Sequence, residues 1–128
     1  MLKSREGLLR LKRFHVEEKR RQVAQIETMV AEFERMARDL DDQVNAEQER
    51  SGIKDVNHFA YPTFAKAAIQ RRDNLRASVD ELKGQLVGAK AELDEAIAEQ
   101  EKTQALADRD GDRNSAEAGE QRSVAARL

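Results

Sequence analysis

Apolar residues along the first half of the chain recur every seven positions. One heptad position, designated a, carries Leu9, Val16, Val23, Val30, Ala37 and Val44, and a second, designated d, carries Ile26, Phe33 and Leu40. Two earlier d positions hold Lys12 and Lys19, so the apolar stripe becomes polar towards the N-terminus. A repeat of this length predicts one coiled-coil helix over about residues 4–51, with Ser4 as its N-cap and Gly52 as the glycine that ends it.

The same periodicity returns after a connector at residues 52–61. Pro62, the only proline in the chain, suits the first turn of a second helix, which we expect over residues 62–107. In this helix the a positions hold Val79, Leu86 and Leu93, and the d positions hold Leu75, Leu82, Ala89 and Ala96. Residues 108–128 are polar and contain two glycines, so we expect a frayed or disordered C-terminal tail.

Charge alternates along the chain in blocks that favour an antiparallel arrangement. Residues 1–22 carry a net charge of +5 and residues 23–50 carry −5, whereas residues 51–77 carry +3 and residues 78–107 carry −4. Folding the second helix back over the first places each block beside one of opposite sign, which mainly fixes orientation. We therefore predict an all-α fold, a long antiparallel two-helix coiled-coil hairpin over residues 1–107.

Two registers of this hairpin place apolar residues against each other. In the first, facing residue numbers sum to 112 and Leu40 meets Arg72; in the second, they sum to 119, Leu40 meets Val79 and Glu47 meets Arg72. We favour the second register because it leaves no arginine against a leucine. Since a two-helix hairpin has one thin seam, we expect marginal stability alone and further burial against a partner.

The composition is typical of long helices rather than of an enzyme. Ala, Glu, Lys, Leu and Arg make up more than half of the chain, 39% of residues are hydrophobic, and cysteine is absent. His15 and His58 have no companions at catalytic or metal-binding spacing, so we predict no enzymatic activity, no catalytic residue, no metal and no cofactor. The sequence shows neither a signal peptide nor a membrane span, which favours a cytoplasmic location.

A cluster of basic residues lies near the N-terminus. Its members are Arg10, Lys12, Arg13, Lys19, Arg20 and Arg21. They could pair with the acidic end of the second helix, dock on an acidic protein surface, or neutralise phosphates. The net charge of −2 and the lack of stacking aromatics in this cluster disfavour nucleic acid as a partner.

Three of the five aromatic residues, Phe59, Tyr61 and Phe64, lie in the connector and at the start of the second helix. They either cap the end of the hairpin or form an exposed contact patch, because aromatic residues are enriched in binding hot spots. Phe14, beside the N-terminal seam, is expected to pack in the core.

Two runs that the heptad does not require, KRFHVEEKRRQVAQIE and HFAYPTFAKAAIQRRDNLR, resemble the flagellar type III export protein FliJ family. The resemblance covers roughly residues 1–95. It implies a cytoplasmic component of the bacterial flagellar protein export apparatus, similar to the stalk of rotary ATPases and peripherally associated with the flagellar base at the inner membrane. Such a protein binds the export ATPase ring, bridges it to the membrane export gate, and serves as a chaperone or escort for export substrates or their chaperones.

The resemblance also assigns roles to residues. It implies that Arg10, Arg13, Arg20 and Arg21 face an acidic lining of the ATPase ring. Tyr61 and Phe64 match a Tyr-x-x-Phe pattern expected to contact the export gate, with Phe59 beside them, whereas Ala68 and Arg71 do not continue a bulky apolar surface. Two alternatives are a generic coiled-coil scaffolding or adaptor protein and, less favoured, a nucleic-acid-binding helical hairpin.

Overall fold

The computed structural model describes the backbone of residues 2–127 and the side chains of residues 4–122, and it contains two α-helices. The first, α1, spans Leu2–Ser51, and the second, α2, spans Thr63–Arg127. Over this part of the chain the backbone forms no strand, which confirms the all-α prediction, and within residues 23–88 the two helices pair as a hairpin. The chain divides into two compact units. The connector unit is Val23–Gly88, and the terminal unit comprises the described residues up to Gln22 and from Ala89 onwards.

The helices of the connector unit pack through their heptad positions. Buried residues in this unit are Val23, Ala37, Leu40, Val44, Tyr61, Ala65, Ala68, Val79 and Leu82. Leu40, Val44 and Ala68 form a central cluster, and Ile69 and Leu75 pack against it. Ala65 and Ala68 continue the heptad of α2 towards the connector, where small side chains fill the space between the helices.

Ion pairs along one edge of the seam fix the register of the connector unit. Asp41 accepts hydrogen bonds from Arg72 at 2.8 Å and from Arg76 at 2.6 Å. Glu34 lies 3.3 Å from the Nζ atom of Lys83. Val44 and Ala68 pack in one cluster and their numbers sum to 112, and the numbers of the bonded pair Asp41 and Arg72 sum to 113, so the observed register is the one in which facing seam positions sum to 112. The favoured register was therefore wrong.

The reason lies in the length of the Arg72 side chain. The observed register puts Arg72 across the seam from Leu40, but its guanidinium extends sideways to Asp41, and its aliphatic part can cover apolar surface. The hydrogen bond to Asp41 raises the pKa of the Arg72 guanidinium above its ordinary value. Glu47, the partner expected in the other register, pairs instead with Arg50.

Both helix boundaries at the connector are set by local backbone chemistry. Gly52 adopts a φ of +74°, and its N–H donates to the carbonyl of Gln48 at 2.9 Å, which confirms the predicted glycine terminus. Pro62 immediately precedes α2, and its carbonyl accepts a 3.1 Å hydrogen bond from the N–H of Lys66. At the other end, α1 already begins at Leu2, so Ser4 lies within the helix and is not its N-cap.

The terminal unit has a more polar seam. Its buried side chains include Leu9, Val16 and Thr103. Ion pairs join its two helical segments: Arg5–Asp110 at 2.6 Å, Lys12–Glu99 at 3.8 Å and Lys19–Glu92 at 3.0 Å. These pairs set the basic start of α1 against acidic residues of α2, as the charge blocks predicted for an antiparallel hairpin.

The structure differs from the expectation of a frayed tail, because α2 continues past residue 107 to Arg127. The side chains from Asp112 to Arg122 are all exposed, so this segment has the polar, unpacked character that its composition indicated. Its Ala, Glu, Gln and Arg residues favour helix, and each glycine costs only about 1 kcal/mol relative to alanine. Extending an existing helix also requires no new nucleation.

Candidate partner-binding surfaces

The connector is a hydrogen-bonded loop. The carbonyl of Asp55 accepts from the N–H of His58, and the carbonyl of His58 accepts from the N–H of Tyr61, both at 3.0 Å. The Asp55 carboxylate accepts from the N–H of Asn57, and the Nδ1 atom of His58 accepts from the N–H of Ala60, again at 3.0 Å. These bonds hold the loop in one conformation and so fix where its aromatic side chains lie.

Tyr61 is buried where the connector meets α2. Its side chain is 7% exposed, and its hydroxyl accepts a 2.9 Å hydrogen bond from the Nε2 atom of Gln48 near the end of α1. The structure therefore places Tyr61 in the cap of the hairpin rather than on an exposed patch. The Tyr-x-x-Phe pattern gave no sign of this difference between its two aromatic residues.

Phe59 and Phe64 remain accessible. Phe59 is 96% exposed, and its ring stacks on the imidazole of His58 with 4.8 Å between the ring centroids. Phe64 is 59% exposed on the first turn of α2. Ala68, one turn further on, is only 4% exposed, so the accessible surface at Phe64 does not continue through it.

Part of the basic cluster is used within the terminal unit. Lys12 and Lys19 occupy seam positions and reach carboxylates of α2 as described above. Arg13 donates a hydrogen bond to the Oε1 atom of Gln104 at 3.3 Å. For these residues the structure supports pairing with the second helix, which was one of the alternatives left open.

Other members of the cluster lie on the outside of α1. Arg20 forms an ion pair with Glu17 one turn earlier, at 3.7 Å. Arg10 and Arg21 are exposed, and among the described side chains neither has a carboxylate within 4.0 Å. The four arginines expected to face a partner therefore differ in how far their charge is neutralised.

Phe14 does not pack in the core as expected, because its side chain is 58% exposed. The heptad that puts Val16 at position a puts Phe14 at position f, which faces away from the partner helix. Leu8 and Leu11 on the same helix are 45% and 50% exposed. The sequence already contained this signal, since the heptad assignment alone excludes Phe14 from the seam.

The described residues provide no arrangement for a metal or a membrane span. Across residues 4–122, no three His, Cys, Asp or Glu side chains are grouped so as to hold a metal ion. Among the helices as described, none has a stretch apolar and long enough to cross a membrane.

No family model, curated protein or solved structure matches the chain significantly. The candidate partner-binding surfaces are therefore the two accessible ones: Phe59 and Phe64 in the connector unit, and the outer face of α1 in the terminal unit.

Proposed function

We propose that this protein is a non-enzymatic, stalk-like coupling protein of bacterial flagellar export. It would bind the export ATPase ring and bridge it to the membrane export gate, with an escort role in flagellum assembly. It would act in the cytoplasm, at the flagellar base.

The observation that carries this proposal is that each unit presents its own surface with the chemistry of a binding site. In the connector unit, Phe59 and Phe64 are held by a hydrogen-bonded loop and a helix terminus while their rings stay accessible. In the terminal unit, Arg10 and Arg21 carry positive charge that no described carboxylate of the chain neutralises within 4.0 Å. Two chemically different surfaces suit a protein that joins two partners.

The gate-binding role is assigned to Phe59 and Phe64, without Tyr61. Aromatic side chains that are exposed on a fixed backbone provide large contact areas at low entropic cost. Phe64→Ala should weaken binding to the purified gate domain and leave the helical circular dichroism signal unchanged. Val87→Ala, which removes a 71% exposed side chain from the same unit, is the matched control and should bind normally. If Phe64→Ala instead lowers the melting temperature, the ring is structural.

The ring-binding role is tested by measuring ATP hydrolysis by the cognate export ATPase while the full-length protein is added. The proposal predicts stimulation that saturates near one hairpin per ATPase hexamer. A variant with Arg10→Gln and Arg21→Gln should stimulate less, whereas Arg35→Gln, which changes an exposed arginine of the connector unit, should behave as the wild type. Absence of any effect on the hydrolysis rate or on ring assembly would contradict the ATPase role.

A further inference from the structure

The outer face of α1 in the terminal unit carries an apolar strip. Leu8, Leu11 and Phe14 are spaced three residues apart, and each is at least 45% exposed. Residues at this spacing are neighbours on a helix surface. Together with Arg10 and Arg21 they form the Phe14 patch.

Two arginines of this patch lie on the same side of α1 as Phe14. Arg10 lies four residues before Phe14 and Arg21 lies seven residues after it, so both fall on the same side of the helix. The side chains of residues 4–22 that form no ion pair with α2 include four arginines and three glutamates, and one of these glutamates, Glu17, lies 3.7 Å from Arg20. The net charge of these side chains is therefore positive.

The fold makes no use of these side chains. Contacts across the seam of the terminal unit are supplied by Leu9 and Val16 and by the ion pairs of Lys12 and Lys19. Phe14 points away from α2, and Arg10 and Arg21 form no described ion pair. Phenylalanine and arginine are both enriched in protein–protein interfaces relative to the rest of the surface.

We propose that the Phe14 patch docks into an acidic protein surface, with the Phe14 ring in an apolar pocket bordered by carboxylates that receive Arg10 and Arg21. The occupant is the export ATPase ring, so this inference rests on the proposed function and names the anchor of that contact. In the sequence-based expectation, four arginines alone make the contact with the ring. In the present proposal, the apolar Phe14 side chain is the main contact and two of those arginines, Arg10 and Arg21, flank it.

The test measures the affinity of full-length variants for the assembled ATPase ring. Phe14→Ala should weaken binding by about thirtyfold, the size of a hot-spot truncation. Val87→Ala removes a 71% exposed apolar side chain outside the terminal unit and should change the affinity less than about twofold. Because Phe14 is 58% exposed, the melting temperature of Phe14→Ala should match that of the wild type.

Salt dependence provides the second arm. The variant carrying Arg10→Gln and Arg21→Gln should bind more weakly than the wild type. Its affinity should also fall less steeply as salt is added. Arg35→Gln should retain the wild-type salt dependence.

Equal binding by Phe14→Ala and the wild type would overturn this inference and leave the proposed function intact. If the ring binds neither Phe14→Ala nor the wild type, both the inference and the proposed function are overturned. Binding of the wild type to anionic vesicles in competition with the ring would reassign the patch to a lipid surface and overturn the inference.

Discussion

The contacts of Asp41 give a direct test of the helix register in the connector unit. Asp41 accepts hydrogen bonds from Arg72 at 2.8 Å and from Arg76 at 2.6 Å, and the Asp41 and Arg72 side chains are 30% and 21% exposed. Exposed ion pairs contribute about 0.2–1 kcal/mol, and breaking a buried pair costs about 3–5 kcal/mol. Since this pair is partly exposed, we expect a coupling free energy of about 1–1.5 kcal/mol between Asp41 and Arg72.

A double-mutant cycle isolates this coupling. The free energy of unfolding is measured by urea denaturation, followed by far-UV circular dichroism, for Asp41→Ala, Arg72→Ala and the double variant. The helix propensity gained on substitution by alanine cancels in the cycle. A matched cycle with Glu47→Ala in place of Asp41→Ala should give a coupling within about 0.3 kcal/mol of zero, because Glu47 pairs with Arg50. Coupling of Arg72 to Glu47 with none to Asp41 would show the other register and refute the reasoning.

Further substitutions test local features of the connector unit. Tyr61→Phe keeps the buried ring but removes the hydroxyl that accepts from Gln48, and we expect urea denaturation to show a loss of about 1 kcal/mol in unfolding free energy; no loss would mean that this bond adds nothing. Gly84→Ala and Gly52→Ala should have opposite effects on the melting temperature. A methyl group at Gly84 meets open space within a helix, so alanine should stabilise by about 1 kcal/mol. Gly52 has a φ of +74°, where alanine should destabilise by about 1–2 kcal/mol. A change in melting temperature of the same sign in Gly84→Ala and Gly52→Ala would contradict this account.

The hairpin could be predicted from the sequence because its physical causes are periodic and local. The seven-residue spacing specifies helices with one apolar stripe, and the charge blocks specify their antiparallel orientation. Gly52 marks the end of α1 because few other residues adopt a positive φ without strain. Pro62 marks the start of α2 because it supplies no N–H of its own.

The register could not be predicted by sorting residues into apolar and polar classes. Such a classification makes Arg72 incompatible with the seam, whereas its long side chain places the charge beside Asp41. The same classification could not separate Tyr61 from Phe64, since burial of Tyr61 depends on the path of the connector and on a hydrogen bond from Gln48. The predicted end of α2 at residue 107 is too early, because polar composition indicates a lack of packing partners and does not by itself end a helix.

The sequence indicates which residue types could bind a partner, but it does not indicate which of those side chains are exposed. The aromatic residues of the connector and the N-terminal arginines were both selected from the sequence, and the structure then divides each set. Phe59 is 96% exposed while Tyr61 is 7% exposed, and Arg13 contacts Gln104 while Arg10 remains without a described carboxylate partner within 4.0 Å. The expectation that Phe14 packs in the core is wrong, and its heptad position f predicts the outward orientation that the structure shows.

The central claim is that one hairpin joins two partners, and a capture experiment tests it most directly. The purified gate domain is immobilised and the export ATPase is added with or without the full-length protein. The account predicts that the ATPase is retained only when the protein is present, that Phe64→Ala lowers retention at the gate step, and that Phe14→Ala lowers it at the ATPase step. Release of the protein from the gate domain on addition of the ATPase, with no ATPase retained, would show that the two partners compete and would contradict the account.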